Sequence, residues 1–123
     1  MVMAPLKLPA MRLRDVAPEL ISELAPGLIA KGRLDLAKQL EAAEILQCNY
    51  DELADAGTIY LVRPRPSRHF QKLSAPVKET IGIGDSDMLI GLNVDVDHDG
   101  NLFGIEFIGR ADIVAALKAN KAL

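Results

Sequence analysis

The first third of the chain places its hydrophobic residues at helical spacing. One face carries apolar residues at intervals of three and four, namely Leu20, Ile21, Leu24 and Leu28. Pro18 and Glu19 suit a first helical turn, because proline lacks only an amide that this turn leaves unused and glutamate favours the positive end of the helix dipole. We predict a helix here that Pro26-Gly27 bends or breaks before the helix ends near Gly32.

A second helical segment is predicted from Leu34 to about Leu46. Its apolar side consists of Leu36, Ala37, Leu40, Ala43 and Leu46. The two segments would form a helical hairpin, whose leucines could cover a sheet or form a surface for a homodimer or another partner. Covering a sheet is what amphipathic surface helices normally do, so the pattern favours that interpretation.

After Cys48 the spacing becomes that of β-strands. Residues 58 to 62 are a β-prone run between Gly57 and Pro64, and residues 78 to 83 and 88 to 97 alternate between two faces. In the returning run, we predict that one face of the strand carries Phe103, Ile105 and Phe107. The opposite face is predicted to carry Leu102, Gly104, Glu106 and Ile108.

The tail predicts a short C-terminal helix over residues 111 to 123, with Ile113, Val114 and Leu117 as its apolar stripe. A chain of 123 residues with 50% apolar content suits one hydrophobic core. We therefore predict a single α+β domain. Its helical hairpin (residues 1 to 47) packs on an antiparallel sheet of three to five strands (residues 48 to 110), followed by the C-terminal helix.

Charge is distributed unevenly along the chain, although the net charge is only -3. Residues 63 to 72 form a basic loop with no acid, and its cations are Arg63, Arg65, Arg68 and Lys72. From residue 73 to 109 seven acids face a single base, Lys78. This acidic remainder predicts a basic protein partner and disfavours nucleic acid. The basic loop leaves open weak anion or RNA binding as an alternative.

Three sequence features bear on location. Cys48 is the single cysteine, which suits a reducing compartment, and the first twelve residues lack the apolar core of an export leader. No apolar run approaches the roughly 20 residues that a membrane-spanning helix needs. The sequence predicts a cytoplasmic protein.

Residues 95 to 106 match the calcium loop D-x-D-x-D-G-x5-E letter for letter. In a helix-loop-helix site, calcium would be held by the carboxylates of Asp95, Asp97, Asp99 and Glu106. The preceding residues alternate as a strand does, and the ninth loop position is Phe103, which offers no oxygen ligand. These features favour a β-hairpin turning at residues 97 to 100.

In a hairpin, Glu106 would lie about 20 Å from the tip, at roughly 3.3 Å per residue, too far to share an ion with the three aspartates. The expectation that follows is an acidic hairpin presented to a basic partner, with Asp95, Asp97, Asp99 and Glu106 as the partner-binding residues. Calcium binding by the same four residues is the alternative.

The segment from Asn93 to Ile108 resembles the signature of a bacterial family of small β-rich domains of unknown function. That signature reads D-x-D-x-x-G-x, two apolar residues, G-I-E and two further apolar residues. The Tyr50-Asp51 pair is similar to the opening of the same family, so the resemblance covers about residues 49 to 110. Such proteins often neighbour small toxin-like proteins. The resemblance implies a binding, immunity or antitoxin-type role and provides no catalytic residues.

Catalytic motifs are not evident in the sequence. Cys48 has no cationic neighbour in sequence to activate it, and His69 and His98 lie in separate predicted turns. Exposed aspartates in a glycine-rich turn should keep ordinary acidity. We therefore expect a non-enzymatic protein without a cofactor.

Overall fold

The computed structural model describes residues 10–64, 76–84 and 91–123. The described part of the chain begins with three helices, α1 (Leu13–Val16), α2 (Pro18–Ala30) and α3 (Leu34–Ala42). Five strands follow, β1 (Ile45–Asp51), β2 (Ala56–Leu61), β3 (Val77–Ile83), β4 (Gly91–Asp97) and β5 (Leu102–Ile108). The described chain ends with helix α4 (Ala111–Ala119). The predicted α+β class, with N-terminal helices, an antiparallel sheet and a short last helix, is confirmed.

The strands form one sheet in the order β1-β2-β5-β4-β3, and every neighbouring pair is antiparallel. Strand β5 is therefore the central strand, with β2 on one side and β4 on the other. The predicted run over residues 88 to 97 is described only from Gly91 onward, where β4 begins.

One face of the sheet carries the hydrophobic core. Its buried residues on the central strands are Ile59, Leu61, Leu92, Val94, Val96, Leu102, Ile105 and Phe107. Helices α2, α3 and α4 bury their apolar stripes in the same cluster, including Leu24, Leu28, Leu36, Leu40 and Leu117 at 0% exposure. Burying one such leucine or isoleucine contributes roughly 1.5–3 kcal/mol, so this layer is the main source of stability. The predicted use of the helical hairpin, to cover the sheet, matches this packing.

Helix α2 continues through Pro26, so of the predicted bend or break the break is not found. Leu24 and Leu28 are fully buried on either side of Pro26 and hold both halves of the helix against the core. The predicted end near Gly32 is confirmed. There, the amide of Gly32 (φ +76°) donates to the carbonyl of Ile29, and the next amide reaches back to Leu28 in a Schellman motif.

Arg110, just before α4, joins that helix to α2. Its guanidinium donates two hydrogen bonds of 2.8 Å to the carboxylate of Glu23 and two more to that of Asp112. The same guanidinium lowers the pKa of Asp112 below its ordinary value. None of the helices in the described ranges is long and apolar enough to span a membrane.

The second predicted helix is too long by four residues. Helix α3 ends at Ala42, and β1 begins at Ile45. Two backbone bonds turn the chain out of the helix, from the amide of Leu13 to the carbonyl of Ala43 and from the amide of Ile45 to the carbonyl of Met11. Leu46, predicted on the apolar side of the helix, is instead 66% exposed where β1 bulges. This bulge interrupts the alternation of β1, which explains why the strand was not predicted.

The predicted faces of β5 are wrong at the start of the strand, because β5 contains a β-bulge. Asp95 pairs with Gly104 and Val96 with Leu102, so Phe103 is an extra residue in β5. Leu102 enters the core at 4% exposure, whereas Phe103 contacts the ring of Tyr60. Placing Phe103 with Ile105 and Phe107, and Leu102 opposite them, was therefore wrong. Beyond the bulge, the predicted alternation holds.

Gly57 allows two aromatic rings to stack across β2. It pairs with Tyr50 on one side and Phe107 on the other, and those rings lie 6.3 Å apart at 11°. A methyl group at residue 57 would lie 2.4 Å from Cζ of Phe107 and 2.6 Å from the carbonyl oxygen of Asn49. The position has no room for any side chain.

We predict that Gly57→Ala lowers the free energy of unfolding by about 1–3 kcal/mol, because the methyl group overpacks a rigid site. The control is Gly91→Ala, also in a strand, where an added methyl group meets no atom within 4 Å. The control should change the unfolding free energy by less than about 0.5 kcal/mol. Urea denaturation of both variants measures these values, and equal effects would contradict the stacking argument.

Candidate functional site

The turn between β4 and β5 is built around the carboxylate of Asp97. Its Oδ1 accepts hydrogen bonds of 2.9 Å from the amides of Asp99 and Asn101. The backbone amide of Gly100 donates to the carbonyl of Asp97, and Gly100 has a φ of +81°, which glycine adopts without strain. The hairpin predicted at residues 97 to 100 is confirmed by these contacts.

Two side chains from elsewhere in the fold support this turn. Gln39 of α3 donates its amide to the carbonyl of Gly100 at 3.2 Å and accepts the amide of Leu102 at 2.9 Å. Arg63 approaches Oδ2 of Asp97 at 3.4 Å, and its guanidinium lies 4.7 Å from the ring centre of Phe103. The turn is thus attached both to the helical layer and to the end of β2.

The calcium-loop motif does not fold as a helix-loop-helix site. Residues 95 to 106 are strand, turn and strand, and Glu106 pairs with Asn93 rather than approaching the turn. Asp97 uses its carboxylate to hold the turn, and Asp95 accepts the hydroxyl of Thr80 at 2.6 Å. Within residues 10–64, 76–84 and 91–123, no three acid, histidine or cysteine side chains converge in a geometry that could hold a metal ion.

The expected acidic surface also needs correction. Asp95 is 6% exposed and Asp97 4% exposed, so these two carboxylates do not face a partner from the hairpin. Asp99 is exposed at the tip, and Glu106 is half-buried on the sheet. Both acids serve the fold. Asp97 accepts hydrogen bonds within the hairpin, and Asp95 accepts one from the neighbouring strand β3.

Of the cations in the predicted basic loop, only Arg63 lies in the described part of the chain, where it contacts Asp97 and Phe103. Arg65, Arg68 and Lys72 lie outside the described residues, as does His69. The prediction of anion binding by this loop therefore stays a prediction.

The sheet face opposite the helices is polar, and we call it the open face. The described helices pack on the other face, with the core cluster. Two rows of paired residues cross it from β1 to β3. They are Asn49, Thr58, Glu106, Asn93 and Gly82 in one row, and Gln47, Tyr60, Gly104, Asp95 and Thr80 in the other. Phe103 joins this face through its edge-on contact with Tyr60, with ring centres 5.9 Å apart.

Glu106 lies at the centre of the open face, on the central strand. Its neighbours in the row, Thr58 and Asn93, are neutral. Burial raises the pKa of Glu106 above its ordinary value of 4.5, and the nearby carboxylate of Asp95 raises it further. Among the described groups, no cation contributes to this pKa. A side-chain hydrogen bond between Glu106 and Asp95 also favours the protonated form of Glu106, so the charged form is partly desolvated and is not balanced by a described cation.

Two adjoining depressions mark the open face. One, of about 180 Å³, is lined by Asn49, Thr58, Asn93 and Glu106, together with Ala56, Gly57, Phe107 and Ile108. The other is a groove of about 340 Å³ lined by Leu46, Gln47, Asn49, Tyr60, Arg63, Pro76 and Phe103. Asn49 belongs to both, so a carboxylate-containing depression lies next to an aromatic groove.

Cys48 lies on the core side of β1, away from this face. Burial raises the pKa of its thiol to about 11. The reactive thiolate is therefore scarce at neutral pH, which agrees with the expectation that Cys48 is not a nucleophile.

Sequence reasoning identified Glu106 and Asp95 but missed their setting. Thr58 and Tyr60 alternate with Gly57, Ile59 and Leu61 in β2, which is the signal of a strand with one polar face. That signal could have predicted which side chains of β2 lie on the polar side of a sheet. The pairing of β2 with β5 across a long sequence separation was not predictable from spacing.

Comparison of the chain with protein-family profiles, curated proteins and solved structures finds no match. The resemblance between residues 93 and 108 and a family of unknown function therefore stays a prediction.

We predict that Asp97→Ala lowers the free energy of unfolding by about 2–4 kcal/mol, because it leaves two turn amides without their acceptor and removes the carboxylate that Arg63 approaches. Asp99→Ala is the control, since only the backbone amide of Asp99 is used in the turn; its effect should stay below about 0.5 kcal/mol. Chemical denaturation measures both. A rise in the melting temperature of the wild-type protein with millimolar calcium, abolished by Asp97→Ala, would contradict the purely structural role.

We predict that Glu106→Gln raises the melting temperature at pH 7. A carboxyl group whose pKa is raised in the folded state favours folding when protonated, and this contribution is lost as the pH rises through the folded pKa. The difference between variant and wild type should therefore shrink as the pH falls toward 4.5, the ordinary pKa. Thermal unfolding at several pH values measures it, with Glu41→Gln on the exposed side of α3 as the control for losing one negative charge. A variant less stable than wild type at pH 7 would contradict this account.

Proposed function

We propose that this protein is a non-enzymatic protein-binding module whose open face contacts a basic partner. The observation that supports the proposal most is the half-buried carboxyl group of Glu106 at the centre of that face, which no described cation balances and which lies beside an aromatic groove. A partner that supplied a positive charge would relieve the unfavourable environment of this carboxylate. The partner surface thus lies on the sheet rather than on the hairpin tip.

The composition of the open face supports a protein partner over RNA. Tyr60 and Phe103 offer aromatic surface, of the kind enriched in protein interfaces, and the amides of Gln47 and Asn49 can pair with a partner's backbone. Asp95 and Glu106 lie on the same face and would repel the phosphate groups of RNA. Arg63 is the one described cation that lines the groove, and it is engaged with Asp97.

An immunity or antitoxin-type role, in a bacterial cytoplasm, is the finer part of this proposal. It rests on the resemblance of residues 93 to 108 to a family found near small toxin-like proteins. A small basic toxin would be a partner of the charge that the open face favours.

The test is affinity capture from a lysate of the cells that make the protein, comparing the wild type with Glu106→Arg. The matched control is Glu41→Arg, which makes the same charge change on the exposed side of α3. We expect basic proteins that the wild type and the control retain, that Glu106→Arg loses, and that are released as salt increases. Equal recovery by both variants, or recovery of no basic protein, would contradict the proposal.

A further inference from the structure

The depression in front of Glu106 has the chemistry of a receptor for a single cationic side chain. Its walls are Asn49, Thr58 and Asn93, which are neutral and able to form hydrogen bonds, and its charged group is Glu106. The side-chain amide of Asn93 makes no hydrogen bond within the described part of the chain, and it stands directly beside Glu106 in the row. A bound cation would therefore meet a carboxylate and an amide with unused bonding capacity.

The size of the depression limits what can enter it. A volume of about 180 Å³ admits the planar end of one side chain and its last methylene groups, but not a folded element. The adjoining groove of about 340 Å³, with Leu46, Tyr60 and Phe103, is wide enough for the apolar residue next to that side chain. The two depressions share Asn49, so one extended peptide could occupy both.

Charge complementarity selects the occupant. Asp95, diagonal to Glu106, is buried and already accepts the hydroxyl of Thr80, so the local charge on this part of the sheet is negative. A planar guanidinium offers five donors and pairs with a carboxylate through two parallel hydrogen bonds, which an ammonium cannot do. Its remaining donors would face the amide oxygen of Asn93, whereas that of Asn49 already accepts the backbone amide of Thr58 at 3.0 Å.

We infer that the open face recognises an arginine of the protein partner, with its guanidinium on Glu106 and a neighbouring apolar residue in the groove beside Tyr60 and Phe103. This inference rests on the proposed protein-binding function and names the chemical group that the open face would bind. Recognition depends on Glu106 as the charged anchor and on the groove as the apolar subsite.

The experiment titrates the ¹⁵N-labelled full chain with two acetylated, amidated tripeptides, leucyl-arginyl-leucine and the same peptide with citrulline in place of arginine. Citrulline keeps the shape of arginine but carries no charge. We expect saturable shifts of the backbone amides of Thr58, Asn93 and Glu106 with the arginine peptide, and at least tenfold weaker binding of the citrulline peptide. Glu106→Gln should weaken the arginine peptide about tenfold and leave the citrulline peptide unchanged.

Asp99→Asn is the matched control, because it removes one negative charge from the exposed hairpin tip rather than from the open face. It should leave the affinity for the arginine peptide within twofold. Equal binding of both peptides, equal losses in Glu106→Gln and Asp99→Asn, or no saturable shift at up to 10 mM peptide would each overturn the inference. The lysate experiment separates the two proposals. If Glu106→Arg loses a partner in the lysate but the arginine peptide does not bind, only the arginine assignment is contradicted.

Discussion

The buried carboxylate of Asp97 holds the turn between β4 and β5, and this turn sets the register of the two strands. By accepting the amides of Asp99 and Asn101, it closes the chain between β4 and β5 and leaves Phe103 as the extra residue. A shift of one residue in a β-pair exchanges the two faces of a strand. The bulge makes such a shift locally, and it brings Leu102 into the core while Phe103 meets Tyr60. The core and the open face both depend on this turn.

The helical layer is tied to the same turn. Gln39 contacts both the carbonyl of Gly100 and the amide of Leu102, so the position of α3 and the geometry of the hairpin are coupled. At the opposite edge, Gly27 approaches Ile83 closely enough that an added methyl group would lie 2.7 Å from it, which brings α2 directly onto β3. These contacts hold the helices on one face of the sheet, and the polar rows lie on the other.

Local patterns predicted the parts of the fold that depend on neighbouring residues. The leucine spacing of α2, the turn at Gly100 and the alternation of Asn93, Asp95 and Glu106 were all visible in the sequence. The exit from α3 at Ala42 was not, because it depends on a backbone bond from Ile45 to Met11 at the other end of the helical layer. The bulge at Phe103 was not visible either. A strand whose apolar and polar residues alternate perfectly and a strand with one extra residue have nearly the same composition. Of the candidate site, the residues of β4 and β5 were predictable from local alternation, whereas Asn49 and Thr58 come from β1 and β2, whose places in the sheet depend on pairings distant in sequence.

The charged form of Glu106 is unfavourable at the centre of a small sheet. Burial and the carboxylate of Asp95 both disfavour its charge, and a neutral residue of the same shape would remove that cost without disturbing the neighbouring Thr58 and Asn93. Selection usually tolerates destabilising polar groups where they are used, because stability and function compete at binding sites. Asp97, by contrast, is buried but serves the fold through three hydrogen bonds. The two acids differ in their partners, because Asp97 accepts hydrogen bonds from the turn, whereas Glu106 lies beside another carboxyl group, that of Asp95. This difference is the physical reason for proposing a binding surface on the sheet face instead of on the hairpin tip.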